Sequence, residues 1–157
     1  MNKFFENYLD RLGDLHEDCK VAMGGLSQDA LDWKPSPSMN SIGVLIIHII
    51  GAERYWFGDF IMKEPSGRNR DQEFQTRGLD PLELSRRLDD ALAYIQKALN
   101  QLTIQELKEI RISPRDGREF TIGWAILHVL KHTALHLGHI EVTRHMWEMR
   151  LPNLYCV

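Results

Sequence analysis

"SIGVLIIHIIGAERYWFGDFIM", Ser41 to Met62, is the stretch on which the fold turns. Ile42, Val44, Leu45, Ile46, Ile47, Ile49 and Ile50 are followed by Tyr55, Trp56, Phe57, Phe60 and Ile61. Apolar side chains then cover every side of a helix, so that helix must lie at the centre of its domain with others packed round it. Asn40 and Ser41 are both good N-caps for its start, and it is predicted to run to about Met62. Its apolar run "IGVLIIHIIGA" is too short to span a bilayer and contains a histidine.

Three more helical patterns supply the surrounding elements. Phe5, Tyr8, Leu9, Leu12, Leu15, Cys19 and Ala22 recur at three and four from about Lys3 to Met23, and Gly24 and Gly25 end the pattern. Pro35 and Pro37 forbid a continuous helix in "LSQDALDWKPSPSMN", read as a loop. The polar stretch "KEPSGRNRDQEFQTRGLD" reads as a surface loop or lid. Asp80 then caps a third helix, with Pro81 at its first position and Glu83 closing a capping box. Thr103 and Glu106 form a second capping box on a short helix. "RISPRDGREF" holds two short runs about Pro-Arg-Asp-Gly, a small hairpin. The fourth helix runs from Thr121 to about Trp147 or Met149, short of Pro152. The expected fold is a single all-α domain over 1–157: a four-helix bundle with long connections, a short extra helix and a small hairpin before helix four. Two of the connections are too long to impose simple up-down-up-down order.

Composition narrows the function. Hydrophobic residues at 43% and charged residues at 26% suit a globular chain with its own core. A formal charge of −3, with Lys and Arg interspersed among acids, favours neither nucleic acid nor an anionic membrane as a partner. Cys19 and Cys156 form no CxxC pair and read as one core thiol and one terminal thiol in a reducing cytosol. The charged N-terminus lacks a signal-peptide apolar region, so a cytoplasmic protein is expected.

Two helix starts echo each other. "SIGVLIIH", Ser41 to His48, and "TIGWAILH", Thr121 to His128, agree or nearly agree at six of eight positions. Each has a hydroxyl cap, Ile-Gly, and a histidine about two turns on. Two amphipathic helix starts can agree by coincidence. Read functionally, the echo is a pseudo-twofold bundle in which Gly43 and Gly123 let helices two and four approach closely.

The fourth helix carries "HVLKHTALHLGHI", His128 to Ile140. Residues four apart differ by about 40° and about 6 Å of rise, so His132 and His136 project together and can share one metal ion. Two ligands make a weak site, and His48 is the candidate third. A lone buried histidine more often satisfies a hydrogen bond than binds a metal. Several buried imidazoles without partners cost a few kcal/mol, and one shared cation satisfies them together. Three neutral imidazoles leave a coordination position open, as in a catalytic site, and suit zinc, nickel, copper or iron. His128 is a supporting or alternative ligand. His139 falls on the rim, while His16 and His145 read as ordinary helix residues. Tyr55 and Trp56 are candidates for a pocket wall, though at helical spacing they equally suit a core. Arg68, Arg70 and Arg77 can grip carboxylates or phosphates, though as a charge run they equally read as a solvated face. Asp59 shares the stripe of His48 but stands about 16 Å along the helix.

"LDWKPSPSMNSIGVLIIHIIGAERYW" followed at a distance by "DGREFTIGWAILHVLKHTALHLGHI" resembles the DinB-like superfamily. That group is similar to the YfiT-like metal-dependent hydrolases and includes bacillithiol S-transferases and the mycothiol-dependent maleylpyruvate isomerase. Trp33, Pro35, the Ser-Ile-Gly start and the HxxxHxxxHxGHI pattern carry the likeness. The resemblance implies a metal triad at His48, His132 and His136, a homodimer and an intracellular setting. The family's helix four often reads His-Glu-x-x-His, whereas this chain has His132-Thr133-Ala134-Leu135-His136. The missing acid removes a possible base and puts hydrolysis in doubt. The expected activity is metal-dependent transfer of a low-molecular-weight thiol to an electrophilic small molecule. The alternatives are a metal-dependent hydrolase and a non-catalytic metal- or ligand-binding stress-response protein.

Overall fold

A computed structural model describes residues 1–150, so the reading of Cys156 lies outside the described residues. In chain order the elements are α1 (Lys3–Met23), α2 (Gln28–Asp32), α3 (Ile42–Arg54), a π-helical segment (Tyr55–Met62), α4 (Arg70–Glu73), α5 (Pro81–Leu99), a 3-10 turn (Ile104–Lys108), β1 (Ile110–Ile112), β2 (Glu119–Thr121) and α6 (Ile122–Glu148). The four long helices form the bundle. α1 packs against α5 and α6, and α3 packs against the same two. The chain therefore crosses the bundle between α1 and α3 and again between α5 and α6. No helix among the described residues is long and apolar enough to cross a membrane.

Most boundaries follow from local chemistry. Ser41 and Thr121 accept hydrogen bonds from Val44 N and Trp124 N, and Asn2 caps α1. β1 and β2 pair antiparallel with Arg111 opposite Phe120. Some expectations need correction. The central helix does not remain α-helical to Met62, because Tyr55–Met62 winds as a π-helix that ends at Lys63 with φ 59°. A short helix, α2, forms in the proline-containing loop because Ser27 caps it ahead of Pro35. Asp80 accepts from Glu83 N, but the Glu83 carboxylate turns to Arg86 and Arg87 rather than completing a capping box. The Thr103–Glu106 box is complete.

Gly43 and Gly123 do not bring α3 and α6 together. A Cβ on Gly43 would lie 3.4 Å from Leu31 O, and one on Gly123 3.1 Å from Leu107 O. Gly123 instead admits the backbone of the 3-10 turn ahead of α6, while a Cβ on Gly43 would make an ordinary contact with α2.

A buried polar layer divides the core. Phe5, Leu12, Phe57, Ile95, Ile126 and Val129 belong to one apolar cluster; Cys19, Ile46, Ile49, Leu88, Leu137 and Ile140 belong to the other. Between them His16 Nε2 donates to Glu53 Oε1 at 2.9 Å, and Thr133 Oγ1 donates to the same oxygen at 2.9 Å. His16 is thus no ordinary helix residue: it is buried and joins α1 to α3, as Thr133 joins α6. Arg144 fastens the bundle's other end, where Nη1 donates to Val21 O, Ala22 O and Gly24 O at 3.0–3.1 Å. Arg144→Ala leaves these α1 carbonyls to water and is expected to cost about 1–2 kcal/mol, read as a lower urea midpoint with an unchanged slope.

Candidate metal centre

α3 and α6 bring His48, His132 and His136 together. Each offers one ring nitrogen, and the three atoms lie within 4.8 Å of one another. The pair on α6 follows from helical spacing, with His132 Nε2 and His136 Nε2 3.2 Å apart. Two nitrogens on metal bonds of about 2.0–2.1 Å at a tetrahedral angle would stand about 3.3 Å apart, so the His132–His136 pair is spaced to share one ion. The His48 ring lies 5.0 Å from both His132 and His136, centroid to centroid. Burial, with smaller contributions from neighbouring imidazoles, lowers the pKa of His132 to about 3 and of His136 to about 4. Both rings are therefore neutral near pH 7 and present lone pairs, the form a metal requires.

His48 is oriented by a group that sequence reasoning missed. Its Nδ1 lies 2.9 Å from Glu73 Oε2. Arg68 holds the same carboxylate, with Nη2 2.8 Å from Oε2 and Nε on Oε1. Burial pushes Glu73 toward protonation, but hydrogen bonds from Arg68 and His48 outweigh it and hold its pKa below the ordinary value. An ionised carboxylate only accepts, so the proton sits on His48 Nδ1 and the Nε2 lone pair is free for the triad. A Cβ on Gly51 would collide with the Glu73 carboxylate, so only glycine there admits this pair. The stretch from Lys63 to Asp80 is therefore not a plain surface loop. It folds back through α4 and buries Glu73 to 6% exposure. Arg68 is no solvated charge, whereas Arg70 and Arg77 are exposed. A detectable signal was Asn69 capping a short turn of which Glu73 is the last residue, directly before the apolar Phe74.

Glu73→Gln removes the charge that fixes the His48 tautomer. A 10–100-fold loss of metal affinity is expected with the helical content unchanged, measured by competition with a chromogenic chelator.

His128 stands apart from the triad. It stacks on Trp124 at 4.7 Å and 13° and meets Trp56 edge-on at 5.1 Å, with its ring 5.8 Å from that of His132. Burial, then the charges of Lys131 and Arg115, lowers its pKa. His139 Nδ1 lies 3.4 Å from His136 Nδ1 and is exposed, at the rim. His145 is exposed. Trp56 is core, while Tyr55 is pinned by a 2.7 Å hydrogen bond between its hydroxyl and Ser113 Oγ and walls a cleft whose lining includes none of the three histidines. Asp59 Oδ1 accepts Ser66 N–H at 3.2 Å and takes no part in the triad.

Residues 12–140 match the DinB superfamily. No curated protein matches the chain. Among solved structures, YfiT from Bacillus subtilis, described as a probable metal-dependent hydrolase with an unusual four-helix bundle topology, superposes with a TM-score of 0.75 at 14% identity. That alignment covers 94% of this chain and 90% of YfiT. A DinB-like protein from Bacillus cereus ATCC 10987 gives 0.74 at 16% identity, covering 96% of this chain and 97% of the other. A DinB-like protein from Bacillus subtilis, YjoA, gives 0.65 at 21% identity, covering 96% of each chain. At these identities the structural likeness speaks for the fold alone.

Proposed function

This chain belongs to the DinB superfamily, and from that premise we propose that it is a metal-dependent enzyme transferring a low-molecular-weight thiol to an electrophilic small molecule. A divalent ion on three neutral imidazoles would supply a Lewis acid able to keep a thiol ionised near neutral pH. His48, His132 and His136 would hold it, and Glu73 with Arg68 fixes the His48 ring. The thiol proton passes to solvent, since His128 stacks on Trp124 outside the ligand cluster. The sulfur forms a bond to an electrophilic carbon, and the leaving group departs with the bonding pair.

One observation carries the preference for thiol over water. Both oxygens of Glu73 are committed to Arg68 and His48, and the cluster contains only imidazoles among the described residues. Water activation calls for a general base, while a thiol already ionises near pH 8.5 and needs less help. The test is elemental analysis of the purified protein together with thiol consumption in the presence of an alkyl halide or epoxide. Stoichiometric metal and chelator-sensitive thiol consumption are expected. Full metal occupancy without any thiol dependence would instead favour hydrolysis or ligand binding. Pairing of two copies belongs to the same reading; the exposed row Leu127, Leu135 and Val142 on α6 supports it, and light scattering checks it.

A further inference from the structure

A cleft of about 480 Å³ opens between the segment after the π-helix and the hairpin turn. Tyr55, Pro65 and Pro114 give it apolar walls, and Arg68, Arg70 and Arg115 give it charge. Its floor is rigid, since the Tyr55 hydroxyl is tied to Ser113 and the Arg115 guanidinium lies 5.3 Å from the Tyr55 ring centre. Tyr55 stands on the π-helical segment, a local geometry that concentrates at functional sites.

The charges in the cleft are not equivalent. Arg68 is committed to Glu73. Arg70 has no carboxylate partner among the described residues; its guanidinium lies 5.1 Å from the Phe74 ring. Arg115 reaches Asp116 only at 3.4 Å, and that carboxylate is taken at 2.7 Å by Arg118. The acid of the cleft, Asp59, spends Oδ1 on Ser66 N–H and keeps Oδ2 buried. Arg70 thus has no carboxylate partner among the described residues and Arg115 only a share of Asp116, so the two guanidiniums outweigh Asp59, the one acid that lines the cleft. The slot also borders the histidine site. Tyr55 meets Trp56 edge-on at 5.2 Å, Trp56 meets His128 at 5.1 Å, and Arg68 Nη2 lies 3.4 Å from His48 Nδ1.

We infer that this cleft binds an organic carboxylate with an apolar body, its carboxylate held by Arg70 and Arg115 and its body against Tyr55, Pro65 and Pro114. Bidentate guanidinium–carboxylate pairing gives orientation, and the prolines and tyrosine give contact area at small entropic cost. That the anion is a cosubstrate of the thiol transfer rests on the function proposed above; the binding itself does not.

The test uses benzoate as probe, titrated calorimetrically into the full-length protein, the Arg70→Met/Arg115→Met double variant and His48→Ala. Both arginines are exposed, so the double variant keeps its fold. Saturable benzoate binding is expected in the unaltered protein, at least tenfold weaker in the double variant and unchanged in His48→Ala. Neutral benzamide is expected to bind at least tenfold more weakly than benzoate, and inorganic phosphate to compete poorly. The proposal is overturned by an absence of saturable binding, by equal affinity in the double variant, by benzamide binding as tightly, or by phosphate displacing benzoate at equal concentration. It is also overturned if His48→Ala loses benzoate, which would place the carboxylate at the triad. Benzoate binding in protein that takes up no metal leaves the cleft standing and removes the thiol-transfer reading instead.

Discussion

His48→Ala is expected to abolish tight binding of divalent metal while the bundle stays folded. Losing a direct ligand should cost more than the 10–100-fold typical of a supporting group, so affinity should fall by more than about a hundredfold. The fold should survive because the truncation orphans no charge: Glu73 keeps both hydrogen bonds from Arg68. Ile46 and Ile49 still bury their side of α3. His128→Ala is the matching control, expected to leave metal content unchanged because that ring stacks on Trp124 outside the cluster. Elemental analysis and circular dichroism of the two variants decide the matter. Unchanged metal in His48→Ala would remove the three-imidazole site, and with it the thiol chemistry.

Glu53→Ala is expected to produce the largest loss of stability. Glu53 is 1% exposed and accepts from both His16 and Thr133. Its removal strands two buried donors from different helices. Breaking a buried pair on one side costs about 3–5 kcal/mol, which should lower Tm by about 10 °C or more for a chain of this size. Replacing the layer as a set, His16→Leu with Glu53→Leu and Thr133→Val, should recover most of that loss, because no polar group is then left unpaired. A Tm for Glu53→Ala within 2–3 °C of the unaltered protein would mean that the layer contributes little.

The same layer sets a pH dependence for the metal-free protein. Burial alone would lower the pKa of His16, but the charge and hydrogen bond of Glu53, helped by the Leu88 backbone, raise it above 6.5. Its contribution is complete below about pH 6.5 and is lost as pH rises through the raised value. His132 and His136 act in the opposite sense. Their folded pKa values of about 3 and about 4 lie below the unfolded 6.5, so stability falls as pH drops from 6.5 toward 4. Glu73, lowered as well, adds to the acid limb. Thermal melts from pH 4 to 9 should therefore peak near pH 6.5. Glu53→Gln should flatten the alkaline side, and His132→Ala the acid side.

Elements whose causes are local were legible in the residues alone. The all-round apolar run from Ile42, the caps Ser41, Asp80 and Thr121, and the turn at Pro114–Gly117 act within a few residues, so their reading needs no tertiary knowledge. The four-residue spacing of His132 and His136 likewise fixes their common face. An acid at Glu53, inside a helix apolar all round, signals that a buried partner must exist, but not that the partner is His16, 37 residues away. Long-range packing settles that Glu73 returns from a polar segment to hold His48, that Gly51 admits it, and that Arg70 and Arg115 line one cleft. The physical reason is the same in each case. Periodicity and capping are short-range forces, whereas the pairing of buried charges depends on which distant segments the packing brings within hydrogen-bond reach.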